Sequence, residues 1–232
     1  LKKVAVIQSN YIPWKGYFDI INDVDVFVFY DDVQFTKNDW RNRNKIKVPG
    51  GTLWLSIPTG TDMNRLIREV KIQDSRWAKK HLKSIEQYYS KAPYFKNYKE
   101  FLNYVYCERK WNYLSELNQY IIKTISNDYL KCETIFDDSA SYSPEGKRLE
   151  RLVNLLKKIN ADQYITGPSA KSYIEEKVFE KENIKVVWKE YSGYPEYSQL
   201  FPPFEHFVSI LDLLFNTGPD APYYIWGWRK TL

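Results

Sequence analysis

The sequence predicts an α/β fold: a mainly parallel, Rossmann-like sheet in a single domain over residues 1–232, with a helical insert at about 76–130. Three observations predict it. Short apolar, β-rich runs alternate with helical periodicities toward both ends of the chain. The first strand–helix–strand pattern closes within residues 3–30, which fits a parallel βαβ crossover. Between the two alternating regions, residues 76–130 carry helical periodicity alone.

In chain order, "KVAVIQ" (3–8) reads as a buried strand stopped by Gln8. "YFDIINDV" (17–24) is a short helix with Phe18, Ile21 and Val24 on one side, and "DVFVFY" (25–30) is the continuous apolar run of a strand covered on both faces. "TLWLSIPT" (52–59) and "REVKIQ" (68–73) read as further strands around a Gly/Thr/Asp turn. "RWAKKHLKSIEQYYSKA" places Ala78, Leu82, Ile85, Tyr89 and Ala92 on one helix face. Two more helical stretches follow, the second with Leu114, Leu117, Ile121 and Ile125 in register. The alternation resumes with a strand in "CETIF" (132–136) and a helix in "PEGKRLERLVNLLKKIN", Pro144 near its first turn. A strand in "DQYITG" (162–167) breaks at Gly167-Pro168-Ser169; a helix, the strand "IKVVWKEY" (184–191), a Pro/Tyr-rich loop and a last helix, "HFVSILDLLFNTG", complete the chain.

Composition narrows the function. Lys plus Arg is 34 against 29 acidic residues, a net +5 that suits an anionic small molecule and is too mild for a nucleic-acid footprint. No apolar run spans a bilayer and the N-terminus does not read as a signal peptide, so a cytoplasmic location is expected. Cys107 and Cys132 have neither disulfide context nor metal-ligand spacing and read as free thiols. The 17% aromatic content supplies core packing, subunit contacts such as a homodimer would use, or stacking platforms for sugars and bases.

Open parallel sheets hold ligands beyond the carboxyl ends of their strands, so the loops there carry the candidate residues. After the first strand come Gln8, Asn10, Tyr11, Trp14, Lys15 and Gly16; Lys15 and Gly16 open a helix, where an anion is at home. After the second come Asp31, Asp32 and Gln34. Adjacent carboxylates alternate sides, so one faces the pocket and the other a neighbouring helix or solvent. Trp40, Arg41, Asn42 and Arg43 follow, and with Lys45 and Lys47 the cations form one side of an extended arm suited to a diphosphate. After "DQYIT", Gly167, Pro168, Ser169 and Tyr173 make a third polar corner, and all three loops are expected to converge on one shared pocket. His81, at the edge of a helix's apolar face, is the one natural general base near neutral pH and equally a core-edge structural residue. Asp212 and Asn216 make a polar stripe on the last helix that faces a site or a buried network.

The first loop resembles the phosphate-binding turn of nucleotidylyltransferases, without the histidines of their HxGH motif. More specifically, "VAVIQSNYIPWKGYFDII", "DVFVFYDDVQFTKNDWRNRNKIK", "WLSIPT", "WAKKHLKSI", "KAPYF", "YITGPSAKSYI" and "SILDLLFNTG" are similar to the WbqC-like family, in the family's order and over nearly the whole chain. Many relatives carry His where this chain has Ile7, so no role of that His transfers.

The resemblance implies bacterial O-antigen or surface-polysaccharide biosynthesis and an N-acyl or N-aminoacyl transferase acting on a nucleotide-linked amino-dideoxy sugar. On that reading no cofactor is bound. The co-substrate is an acyl-carrier-protein thioester, an acyl-CoA or an ATP-activated amino acid, and His81 or Asp32 is the base. A nucleotidyl or adenylate-forming transferase and a non-catalytic saccharide-binding protein are the alternatives.

Overall fold

The structure, a computed structural model, describes residues 1–230. In chain order it comprises β1 (Lys3–Ile7), α1 (Lys15–Asn22), β2 (Val26–Phe29), β3 (Arg43–Val48) and β4 (Gly51–Ser56). Helices α2 (Arg76–Tyr89), α3 (Lys99–Asn103) and α4 (Leu114–Thr124) follow. Then come β5 (Ile135–Asp138), α5 (Arg148–Lys158), β6 (Gln163–Thr166), α6 (Glu176–Glu180), β7 (Lys185–Trp188) and α7 (Ile210–Thr217). No helix among the described residues is long and apolar enough to cross a membrane.

β5, β2, β1, β6 and β7 lie side by side in that order, all parallel, with Val4 opposite both Val26 and Tyr164. The α/β expectation holds, and the order fixes where a ligand belongs. The chain winds outward from β1 through β2 to β5, then restarts at β6 on β1's other side. The winding reverses between β1 and β6, and the space beyond their carboxyl ends is the ligand crevice of such sheets.

Strand alternation splits the core. Val4, Val6, Val26 and Val28 pack on Leu152, Leu155 and Leu156 of α5 and on Phe179 of α6. Ala5, Phe27, Phe29 and Ile165 face the other way, onto α1 and the helical insert. That explains why "VAVI" and "VFVF" are apolar throughout.

Two expected strands differ. β3 and β4 form a separate antiparallel hairpin, turning through Pro49-Gly50 with Gly50 at φ 72°. "REVKIQ" is not a strand: Ile67–Glu69 is a 3₁₀ turn, and only Lys71 forms a bridge, to Tyr113. Its backbone is spent on loops, with Ile67 and Arg68 donating to Val33 O and Asp31 O and Ile72 donating to Asn112 O. Pro144 lies ahead of α5, which begins at Arg148.

In α2 the buried stripe is Trp77, His81, Ile85 and Tyr89, one position ahead of Ala78 and Leu82. The large rings win the core-facing side because they bury more area. His81 is thereby in the middle of the buried face and not at its edge.

Helix α1 is pinned at the second turn. Asp19, fully buried, takes Lys189 Nζ at 2.8 Å, the Arg229 guanidinium at 2.8 and 2.7 Å, and the Tyr194 hydroxyl. This joins α1 to the end of β7 and to the C-terminal turn.

Candidate functional site

The loop from Gln8 to Trp14 leaves the carboxyl end of β1 and is held from every side. Ser9 N donates to Asp31 Oδ1 at 2.8 Å, and Tyr11 N donates to Trp40 O at 2.9 Å. The Asn44 amide donates to Tyr11 O and Ile12 O at 3.1 and 2.9 Å. Ile12 sits at φ 35°, a region a β-branched residue avoids, at a cost on the order of 1–3 kcal/mol. The Asn44 clamp offsets that cost and turns the chain so that Pro13 O accepts from Ile210 N at the start of α7.

Trp14 then folds back on the first turn of α1. A Cβ on Gly16 would lie 2.2 Å from the indole, so only glycine leaves room for it. The indole is bracketed by Phe207, Tyr191 and Tyr194, with ring centroids at 5.2, 5.4 and 6.1 Å.

In front of this turn lies a cavity of about 430 Å³ lined by Asn10, Pro13, Trp14, Trp40, Asn44, Lys45 and Phe207. It has the size and wall chemistry of a small-molecule site: aromatic surface with a few placed polar groups. Asn10 Oδ1 is buried there with no hydrogen-bond partner in the protein. Phe207 and Trp40 remain 59% and 42% exposed, apolar surface held open at the rim.

Lys15 does not enter the cavity. It is 2% exposed, and its ammonium lies 4.9 Å from the Tyr194 ring centroid and 5.5 Å from that of Tyr197, without a hydrogen bond. Burial pulls its pKa down to about 8, against the attraction of Asp212 and Glu196.

The twin aspartates diverge as alternation requires. Asp31 is fully buried, takes Gln119 Nε2 at 3.0 Å as well as Ser9 N, and burial raises its pKa. Asp32 turns toward α5, where Arg151 and the Ser139 hydroxyl hold it. Neither reaches the cavity. Arg41 is paired with Asp39, Arg43 stacks on Trp54 with the guanidinium carbon 4.4 Å from the ring centroid, and Lys47 is buried with Nζ 3.3 Å from Gly51 O. The arm is therefore not one row of free cations. Asn42 donates to Ile57 O, and Gln34 is exposed with Nε2 3.4 Å from Met63 O.

The third corner backs the site without lining it. Gly167 lies against Tyr191, whose ring would be 3.3 Å from a Cβ there, and Tyr191 in turn touches Trp14. Pro168 and Ser169 begin a 3₁₀ turn, and Tyr173 is 60% exposed. Gln8 contributes its carbonyl to the Tyr17 hydroxyl at 2.9 Å. Asp212 is in a buried network, not a site. It takes the Tyr89 and Tyr197 hydroxyls at 2.9 and 2.8 Å and Gln199 Nε2 at 2.8 Å, while Asn216 donates to its carbonyl. Burial raises its pKa.

His81 sits behind the loop. Its Nδ1 is 2.8 Å from the Tyr11 hydroxyl, which also meets the Tyr106 hydroxyl at 2.8 Å. Burial lowers its pKa to about 4, a bond to the Ser56 carbonyl opposing that shift, so the ring is neutral at pH 7. At 5% exposure it supports Tyr11 and forms no part of the cavity wall.

This has a consequence for acid stability. With the folded pKa below the ordinary 6.5, the unfolded chain binds the proton first, and stability falls as pH drops from 6.5 toward 4. Between pH 7 and 5 the histidine removes about 2 kcal/mol of unfolding free energy. Urea titrations of the protein and of His81→Gln at both pH values measure it. The variant, less stable at pH 7, loses correspondingly less on acidification, whereas parallel losses would place the histidine in contact with water.

Sequence reasoning missed Asn44 and Phe207. Asn44 had a signal: it alternates with Arg43 and Lys45, so a polar side chain there points inward. Phe207 had only the aromatic density of the loop before α7. The distinction between Asp31 and Asp32 rests on Arg151, 119 residues beyond Asp32.

A model of the WbqC-like protein family matches residues 8–224, which includes the β1–α1 loop, the hairpin and α7. The chain is 45% identical over 227 residues to the uncharacterized protein Rv1507c of Mycobacterium tuberculosis (strain ATCC 25618 / H37Rv), covering 97% of this chain and 98% of that protein. No solved structure matches. On that family match and that full-length identity, the chain belongs to the WbqC-like protein family.

Proposed function

We propose that this protein is a transferase of surface-polysaccharide biosynthesis that N-acylates the amine of a nucleotide-linked amino-dideoxy sugar. Family membership suggests a protein of a polysaccharide pathway. The observation that carries the reading is the cavity beyond β1, with Trp14, Trp40 and Phe207 as apolar wall and Asn10, Asn44 and Lys45 as polar lining. A sugar ring has apolar faces for the indoles and equatorial hydroxyls for the Asn10 amide oxygen and the Lys45 ammonium, the Asn44 amide being engaged in its clamp.

In the reaction the sugar amine attacks the carbonyl of the donor. A C–N bond forms, the bond to thiolate or adenylate breaks, and the ammonium formed gives its proton to solvent. Holding the amine and the acyl carbonyl at attack distance is the cavity's contribution. The donor is a carrier-protein thioester, an acyl-CoA or an ATP-activated amino acid. Incubation of the protein with an amino-sugar nucleotide and each donor in turn is expected to give the mass of the acylated sugar; no product with any donor sinks the reading.

A second reading, saccharide binding without turnover, is favoured by one observation: His81 is buried and Asp32 is held by Arg151, so neither expected base is on the cavity wall. It expects glycan affinity that survives Asp32→Asn, with no product in the assay above.

A further inference from the structure

We propose that the outer face of the β3–β4 hairpin is a nucleoside diphosphate subsite, continuous with the cavity and centred on Trp54. This deepens the proposed function and rests on it for the sugar held in the cavity.

The hairpin has two unlike faces. Asn44, Ile46 and Leu55 point into the protein and are buried. Arg43, Lys45 and Trp54 point away, with Lys45 directly opposite Trp54 in the ladder. Trp54 is 43% exposed, an unusual amount of indole surface to leave in water on a short hairpin. Its ring centroid lies 5.5 Å from that of Trp40 at a tilt of 33°, and the Arg43 guanidinium carbon stands 4.4 Å away. Trp54 thus gathers two planar groups, Arg43 and Trp40, and Trp40 lines the cavity. Lys45 joins the two regions: it lines the cavity, and its ammonium is 5.9 Å from the Trp54 centroid.

Charge points to the ligand. Neither Arg43 nor Lys45 has an ion-pair partner among the described residues, and Arg43 Nε is buried without a hydrogen bond. Arg41, two residues before, is already neutralised by Asp39. Two uncompensated cations between a sugar-sized cavity and the exposed Trp54 indole call for an anion flanked by a ring on one side and a planar heterocycle on the other. A diphosphate between a sugar and a nucleobase has that order. The base extends the stack, the diphosphate lies along Lys45 and Arg43, and the sugar enters between Trp14 and Trp40.

The test is calorimetric titration of the full chain with uridine, thymidine and guanosine diphosphates, with inorganic pyrophosphate as the anion alone. Nucleoside diphosphates are expected to bind more tightly than pyrophosphate. Trp54→Ala should weaken them about tenfold or more, and Trp54→Phe should retain most of the affinity because a stacking ring remains. Arg43→Gln with Lys45→Gln should lower affinity and flatten its salt dependence. Circular dichroism checks that each variant is folded, and the Phe variant keeps the test decisive if the Ala variant is not.

Equal affinity for pyrophosphate overturns the base subsite, as does undiminished binding by Trp54→Ala or no binding of any nucleoside diphosphate. Binding through Trp54 with no acyl transfer sinks the proposed reaction and leaves this subsite standing. Acyl transfer onto sugars lacking a nucleotide, with no nucleoside diphosphate bound, does the reverse.

Discussion

Replacing Asp19 with alanine should cost about 3–5 kcal/mol of unfolding free energy. The carboxylate is fully buried, and two cations converge on it, Lys189 at 6% side-chain exposure and Arg229 at 32%. Without it Lys189 keeps only Asp23, which is itself 39% exposed, and a long 3.4 Å bond to the residue-19 carbonyl, and Arg229 loses a bidentate partner. The Tyr194 hydroxyl loses its acceptor as well. Removing one member of such a group leaves desolvated charge behind, and that penalty exceeds the worth of the pair itself. Urea unfolding measures the loss. The exposed pair Arg76–Asp74 serves as a control, since breaking it from the arginine side by Arg76→Ala should change stability little. A similarly small effect for Asp19→Ala would show that the C-terminal turn and β7 do not depend on α1.

The second large effect is expected at Gly16, where its sign is diagnostic. In an exposed helix, Gly→Ala stabilises by about 1 kcal/mol through helix propensity. Here the new methyl would lie 2.2 Å from the Trp14 indole, which Phe207, Tyr191 and Tyr194 hold in place. The methyl expels the ring, and the expected net result is a loss of about 1–3 kcal/mol, the usual penalty of overpacking. Because that indole is a wall of the cavity, affinity for the amino sugar proposed to bind there is expected to fall with it. A double-mutant cycle isolates the cause: in a Trp14→Ala background, Gly16→Ala should become neutral or stabilising, a coupling well above the roughly 0.5 kcal/mol of independent sites. Additive effects would mean that the indole is not packed on the helix.

These two residues also show what was and was not legible. Gly16 stood out in the sequence as a helix-start glycine beside a tryptophan, and the turn it forms lies at the expected strand end. Asp19 gave no signal. It sits among the apolar residues of α1, and its partners lie at Lys189 and Arg229, 170 and 210 residues further on. His81 read as a core-edge residue because Ala78 and Leu82 define a plausible apolar face. Packing keeps Ile85 and Tyr89 of that face but sets Trp77 and His81, one position earlier, in place of Ala78 and Leu82. The three strand-end loops were expected to share a pocket. The first loop and the arm do share one, and the Gly167 corner joins them only through Tyr191.

The residues by themselves determine the α/β architecture, because buried parallel strands and amphipathic helices write their periodicity locally, and five such strands survive as the sheet. They also determine that the polar strand-end loop with Trp14 and Gly16 is unlike a core segment. Only the tertiary structure decides which charges are free. Asp32 and Lys15 read in sequence as available groups and are in fact held or caged, whereas Arg43 and Lys45 are not paired. The physical reason is that a side chain's charge state and reach depend on what is packed against it. Those neighbours come from segments more than a hundred residues away, and no local pattern records them.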